Sequence, residues 1–164
     1  MAEKKEIFKE LEERFEHAKK ELGFKSSLDD LDEVFYIREA VLKNGFVSER
    51  VSRQICSRIV ESYNLIINYL HGLVLPSPQN MIAITESKMF DEQERKDILK
   101  LMTKTMAILS LNNRVGQTKD KKLEAEFIDS SLKFWKEEFN PKLKEIVIKV
   151  SEDWKKRAKE ERKD

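Results

Sequence analysis

The chain is short of every residue that breaks, staples or chemically arms a polypeptide. Its 164 residues include four Gly, three Pro and one Cys. So few breakers, beside 38% charged residues of both signs, speak against a turn-rich sheet protein and for helices with solvated faces. The single cysteine, Cys56, excludes an internal disulfide framework and a cysteine-based zinc site within one chain. It falls among apolar neighbours and reads as a small core residue, not a nucleophile. Excess charge is missing too. Lys plus Arg number 32 against 31 for Asp plus Glu, a net charge of +1, so nucleic acid bound through phosphate contacts is not expected. No apolar run approaches the roughly eighteen residues of a membrane span. The opening Met1-Ala2-Glu3-Lys4-Lys5-Glu6 has no apolar run behind it and is no secretory signal. A soluble cytoplasmic protein without membrane contact is expected. Rich Lys and Glu with one cysteine suit a thermophile, and suit many mesophilic helical proteins as well.

Recognisable chemistry is also lacking. There is no G-x-G-x-x-G and no Walker lysine pattern. There is no His-Glu-x-x-His, and neither His17 nor His71 has a Glu three residues before it, which removes the usual di-iron bundle motif. Two histidines and one cysteine on separate elements make no nucleophile–base–orienter set. No catalytic residue, metal ligand or cofactor is assigned, and nothing argues for an enzyme.

What the chain has is helical periodicity. Phe8, Leu11, Phe15, Ala18 and Leu22 repeat at three and four over 3–22, and Gly23 is a stop. Ser26-Ser27 offers an N-cap for a helix over 28–43, ended by Asn44-Gly45. Ser48 caps a long helix over 48–71, terminated by Gly72. Leu73 to Pro78 reads as a buried apolar connection, with Ser77 as N-cap and Pro78 at the first position of a short helix over 78–88. That helix turns Met81, Ile82 and Ile84 inward. Asp91-Glu92-Gln93-Glu94 is a capping box with Phe90 as its staple. It opens a helix to 111 through Ile98, Leu99, Met102, Met106 and Leu109. Asn112 to Gln117 is the clearest loop, and Thr118 or Asp120 starts a helix to about 138. Asn140-Pro141 begins a last helix or a bent continuation, with Leu143, Ile146, Val147, Val150 and Trp154 as its stripe. The expected fold is all-α: an up-and-down four-helix-bundle core with two or three additional helices and no sheet. The expected organisation is one domain over 1–154, followed by a charged helix end or frayed tail over 155–164.

The helix over 48–71 is the centre of this reading. Val51, Ile55, Cys56, Ile59, Val60, Tyr63, Ile66, Ile67 and Leu70 fall on one broad apolar arc at 100° per residue. The other side carries Arg50, Gln54, Ser57, Glu61, Asn64, Asn68 and His71 at alternating steps of four and three, with Arg53 alongside. A plain solvent face in so charged a chain would be mostly Lys, Arg and Glu, which are better helix formers than Asn and Ser. An amide donates and accepts at once and suits pairing of helices. Arg50, Arg53 and Arg58 with His71 would suit a phosphate instead. An exposed face of ordinary composition competes with both.

From Val51 to Asn113 the order of features resembles the HEPN helical-bundle superfamily, which includes nucleotidyltransferase substrate-binding subunits. The matching features are Tyr63 to Leu70, then Gly72-Leu73-Val74-Leu75-Pro76, Met81 to Met89, and Phe90-Asp91-Glu92-Gln93-Glu94. The resemblance rests on pattern over the middle of the chain. Nuclease members of that superfamily carry an arginine followed four to six residues later by histidine; here Arg114 is followed by Val-Gly-Gln-Thr-Lys-Asp-Lys. The resemblance therefore implies a member without the nuclease motif, used for binding or pairing and often dimeric. Two readings stand: a non-enzymatic interaction module that self-associates as a homodimer or docks a protein partner through the polar face of 48–71, and a nucleotide- or RNA-binding protein, with or without enzymatic activity, using that same face.

Overall fold

Helix α1 (Ala2–Leu22) buries Leu11, Phe15 and Ala18 and closes at Gly23, whose φ of 83° is left-handed and free of steric cost for glycine. The structure, a computed structural model, describes residues 1–161; among them the fold is an all-α helical bundle without strands.

The single helix expected over 28–43 is two helices, α2 (Leu28–Phe35) and α3 (Ile37–Asn44). Ser27 caps the first, its hydroxyl accepting the Asp30 N–H at 3.1 Å. The break lies at Tyr36, with φ 54° and ψ 50°, and Asp32 explains it. The Asp32 carbonyl accepts the Tyr36 N–H at 2.9 Å, while its carboxylate accepts the Arg38 N–H at 2.7 Å and so caps the next helix. The Arg38 guanidinium bridges Asp29 and Asp32, and those hydrogen bonds raise its already high pKa further.

Helix α4 (Val51–Val74) starts after Ser48 and runs through Gly72. The Ser48 hydroxyl accepts the Arg50 N–H at 3.1 Å and caps the preceding turn instead of the helix. One glycine does not end a helix whose next turn is bonded, and the Leu75 N–H donates to the His71 carbonyl at 2.8 Å. Leu73 and Val74 are thus helical, not part of a connection. Helix α5 (Met81–Ser87) is capped by Asn80 in place of Ser77, the Asn80 amide oxygen accepting the Ala83 N–H at 3.0 Å. Met81 and Ile82, expected inward, are exposed.

Helix α6 (Glu92–Thr118) opens on the reciprocal box: Asp91 accepts the Glu94 N–H at 2.8 Å and Glu94 the Asp91 N–H at 2.9 Å. The Lys149 ammonium and this backbone bond hold the Glu94 carboxyl below its usual pKa. The loop expected at 112–117 is helical, because Val115 is buried and its carbonyl accepts the Lys119 N–H at 2.9 Å. The chain turns only at Lys119, with φ 55°. The buried face of α6 also differs from expectation: Ile98, Leu101, Thr105 and Leu109 are buried, while Leu99 and Met106 are exposed. Thr105 tolerates burial because its hydroxyl donates to the Leu101 carbonyl at 2.8 Å.

Helix α7 (Lys121–Phe134) is capped by Asp120, which accepts the Lys122 and Leu123 N–H groups at 2.9 and 3.2 Å. A π turn over Trp135–Phe139 leads into α8 (Asn140–Glu160). Asn140 is helical, not a cap: its N–H donates to the Trp135 carbonyl five residues back. The wider turn comes just before Pro141, which has no N–H to give. Ile146 and Val150 are buried; Val147 and Trp154 are exposed. The charged end is helical through Glu160 and exposed from Lys155, and residues 162–164 lie outside the described residues.

The contacts divide the chain into two units interleaved in sequence. Met1–Asn64 with Met106–Lys133 forms the first, and Leu65–Thr105 with the segment from Phe134 forms the second. The first unit's core is built on Phe15, Phe35, Ile55, Ile59, Tyr63 and Phe127; in the second unit Leu70, Leu73, Ile98 and Phe139 are the most buried. In the first unit Asp129 clasps the α1–α2 loop, accepting the Lys25 N–H at 2.9 Å, the Ser26 N–H at 2.9 Å and the Ser26 hydroxyl at 2.6 Å.

Candidate functional site

The polar stripe of α4 lies outside the core, and the structure parts it into three places. Arg50 and Arg53, at the start of the helix, line a cleft of about 420 Å³ in the first unit. Gln54, Ser57 and Glu61 line a shallower groove of about 280 Å³ with Phe46 and Arg58, and Arg53 borders this groove as well as the cleft. Asn64, Asn68 and His71 are exposed and line neither cavity. Gln54 is structural, tying the α3–α4 connection to the helix. Its amide oxygen accepts the Ser48 N–H at 2.9 Å and its amide nitrogen donates to the Phe46 carbonyl at 3.3 Å. Glu61 pairs with Arg58 at 3.5 Å, a surface contact worth at most about 1 kcal/mol.

The cleft brings together three stretches of sequence. Arg14, His17 and Glu21 come from α1; Glu49 and Arg50 from the turn before α4 and Arg53 from its first turn; Val115 and Gly116 from the end of α6, Lys119 from the turn after it, and Lys121 and Glu124 from the start of α7. Several of these charges are already paired. Arg14 meets Glu10 at 2.6 Å and donates to the Val47 carbonyl at 2.8 Å. Lys121 pairs with Glu21 and, through that hydrogen bond, holds the Glu21 carboxyl below its usual pKa. Two buried polar atoms of the cleft are unpaired among the described residues. Arg53 Nη1 and Glu124 Oε1 are both cut off from solvent without a hydrogen-bond partner. Glu124 as a whole is 8% exposed. The charges of both are felt by Cys56, whose thiol is pushed up to about 12 by burial first and by Glu124 second, with Arg53 opposing. Such a thiol is inert at neutral pH.

Comparison with family models, curated proteins and solved structures finds no match to this chain. The site therefore stands on its own geometry. Among the described residues no cluster of three His, Cys, Asp or Glu is placed to hold a metal ion, and no helix is long and apolar enough to cross a membrane.

Two features lie beyond the stripe. The first is Glu124, one carboxylate among many in the sequence, singled out only by its burial in the fold. The second is visible in the sequence itself. From Ser62 to Thr85 the chain carries no Lys, Arg, Asp or Glu, in a protein 38% charged. Tyr63, Leu70 and Leu73 of that run are buried, but other apolar residues in it are not. In the second unit, Leu65 is 75%, Leu75 64%, Met81 70% and Ile82 64% exposed. Leu65, Asn68 and Gly72 share one face of α4 at helical spacing, and Leu75 follows one residue past its end. Gly72 marks where the next helix comes near, since a Cβ added there would lie 3.8 Å from the Ala83 Cβ. Met81 and Ile82 immediately precede Ala83, which continues the apolar surface onto the start of α5.

Proposed function

We propose that this protein is a helical interaction module that pairs with a second copy of itself through the uncharged face of the C-terminal half of α4 and the start of α5. The observation that carries the reading is the charge-free run from Ser62 to Thr85 with Leu65, Leu75, Met81 and Ile82 on its surface. Single exposed apolar residues are ordinary, but several in one stretch purged of charge are the composition of an interface core. The occupant is a second copy because the surface offers groups that can pair with their own kind. Asn64 and Asn68 can each donate to and accept from the same amide in a two-fold mate, and a net charge of +1 sets up no repulsion between copies. The stripe from Asn64 onward lines neither cleft nor groove, which favours a flat protein contact over a small ligand at that end. The HEPN-like order of features, without the nuclease histidine, agrees with a pairing bundle, and a cytoplasmic setting suits a reduced Cys56.

Light scattering after size exclusion tests this, on the parent and on the double variant Leu65→Glu, Met81→Lys. The parent is expected at twice its 19.4 kDa chain mass. The double variant is expected at the single mass with unchanged far-UV circular dichroism, because both side chains are exposed. A parent that stays monomeric up to hundreds of micromolar, or a double variant that remains dimeric, overturns the proposal.

A further inference from the structure

We infer that the cleft of the first unit binds a small zwitterion, such as a free amino acid, with its ammonium group on Glu124 and its carboxylate on Arg53. Two atoms of the cleft are satisfied by nothing among the described residues. Glu124 is 8% exposed and its Oε1 has no donor; Arg53 Nη1 is equally cut off and has no acceptor. Both side chains line the same cleft, and they form no ion pair with each other. A buried carboxylate oxygen and a buried guanidinium N–H are each costly to leave unmatched.

Ligand class follows from charge. A simple anion drawn to Arg53, Arg50 and Lys119 would meet the like charges of Glu49 and Glu124. A simple cation drawn to Glu124 would meet those three cations. With both side chains turned into the cleft, a molecule carrying both signs a few bonds apart meets the two at once. The carboxylate end has further support from Val51 and Ser52, which line the cleft in the first turn of α4; N–H groups there have no helical acceptor and attract negative charge. The space is adequate. At about 420 Å³ the cleft equals the liquid volume of about fourteen waters, at ~30 Å³ each, enough for an amino acid with its side chain. The exposed Arg50 and Lys119 at its margin are placed to meet a polar side chain of the ligand.

The test is isothermal titration of the full chain with each of the twenty L-amino acids in turn, with inorganic phosphate and adenosine monophosphate as anion controls. At least one amino acid is expected to bind with Kd below ~1 mM. Its N-acetyl derivative, which lacks the ammonium charge, and its amide, which lacks the carboxylate, are each expected to bind at least about tenfold more weakly. Glu124→Gln and Arg53→Gln are expected to lose at least about tenfold in affinity for the same amino acid while keeping the parent's circular dichroism. Should either variant fail to fold, the two derivatives decide on the parent protein alone. Absence of binding by every amino acid, equal binding of the acetylated form, unchanged affinity in Glu124→Gln, or phosphate or adenosine monophosphate binding as tightly as the best amino acid each overturns the inference. The outcome is separable from the pairing proposal: a monomeric protein that binds an amino acid keeps this site and refutes that surface.

Discussion

Tyr63 offers the sharpest check on the core of the first unit. It is fully buried, lies 6.0 Å from the Phe35 ring centroid, and donates its hydroxyl to the Ser131 carbonyl at 2.7 Å. Tyr63→Phe keeps the ring and removes only that donor. The net worth of such a bond is about 1 kcal/mol, and leaving a buried acceptor unmatched costs about 1–3 kcal/mol. For a chain of this size each 1 kcal/mol moves Tm by roughly 2–4 °C. The expected loss is therefore about 1–3 kcal/mol, or roughly 2–12 °C. Urea unfolding followed by far-UV circular dichroism measures it as a lower midpoint at unchanged slope. The same group sets an alkaline limit. Burial pushes the Tyr63 phenol well above its ordinary value of 10.0. Below that value both folded and unfolded chains keep the proton; above it only the unfolded phenol releases it, so stability falls as pH rises past 10. Tyr63→Phe removes this part of the alkaline loss. A variant with the parent's midpoint at neutral pH and the parent's alkaline slope would refute the reasoning.

Two further outcomes follow from burial. Ile59 is completely buried on α4, so Ile59→Ala should cost about 2–5 kcal/mol in urea unfolding through lost transfer energy and an unfilled cavity; an unchanged midpoint would show that the face is wrong. Cys56, buried and with its thiol pushed up to about 12, should react with a disulfide reagent at neutral pH only as the chain unfolds, and prompt labelling of the native protein would contradict its placement.

The helices were legible because their apolar residues recur at three and four and because several ends carry unambiguous chemistry: Gly23, Ser27 and the Asp91–Glu94 box all do what their residue types suggest. Misplaced boundaries came where a long-range or side-chain interaction outweighed composition. Tyr36 is no breaker by type; the break is made by Asp32 bonding on both sides of it. Asn112, Asn113 and Gly116 look like a loop, yet burial of Val115 keeps α6 helical to Thr118. The face of α6 was misjudged because methionine outranks threonine on any apolar scale, whereas Thr105 satisfies its hydroxyl within its own helix. Of the cleft, Arg50 and Arg53 were visible as cations at a helix start. Glu124 was not, since its meaning comes from being buried opposite residues far away in sequence.

The interleaving of the two units has a consequence for how the chain is made. Everything needed for the first unit up to Asn64 emerges early, but its remaining segment, Met106–Lys133, comes only after Leu65–Thr105 has been synthesised. At about 5–20 residues per second, roughly 3–14 s pass between translation of Asn64 and of Lys133. Through that interval Ile55, Ile59 and Tyr63 wait without the helices that complete their unit, and the loop at Lys25 and Ser26 waits for Asp129. The nascent chain thus presents its most apolar helix to the cell before it can fold around it. Any release of the polypeptide short of Lys133 yields an incomplete core, a species for chaperones or proteases, not a smaller working domain.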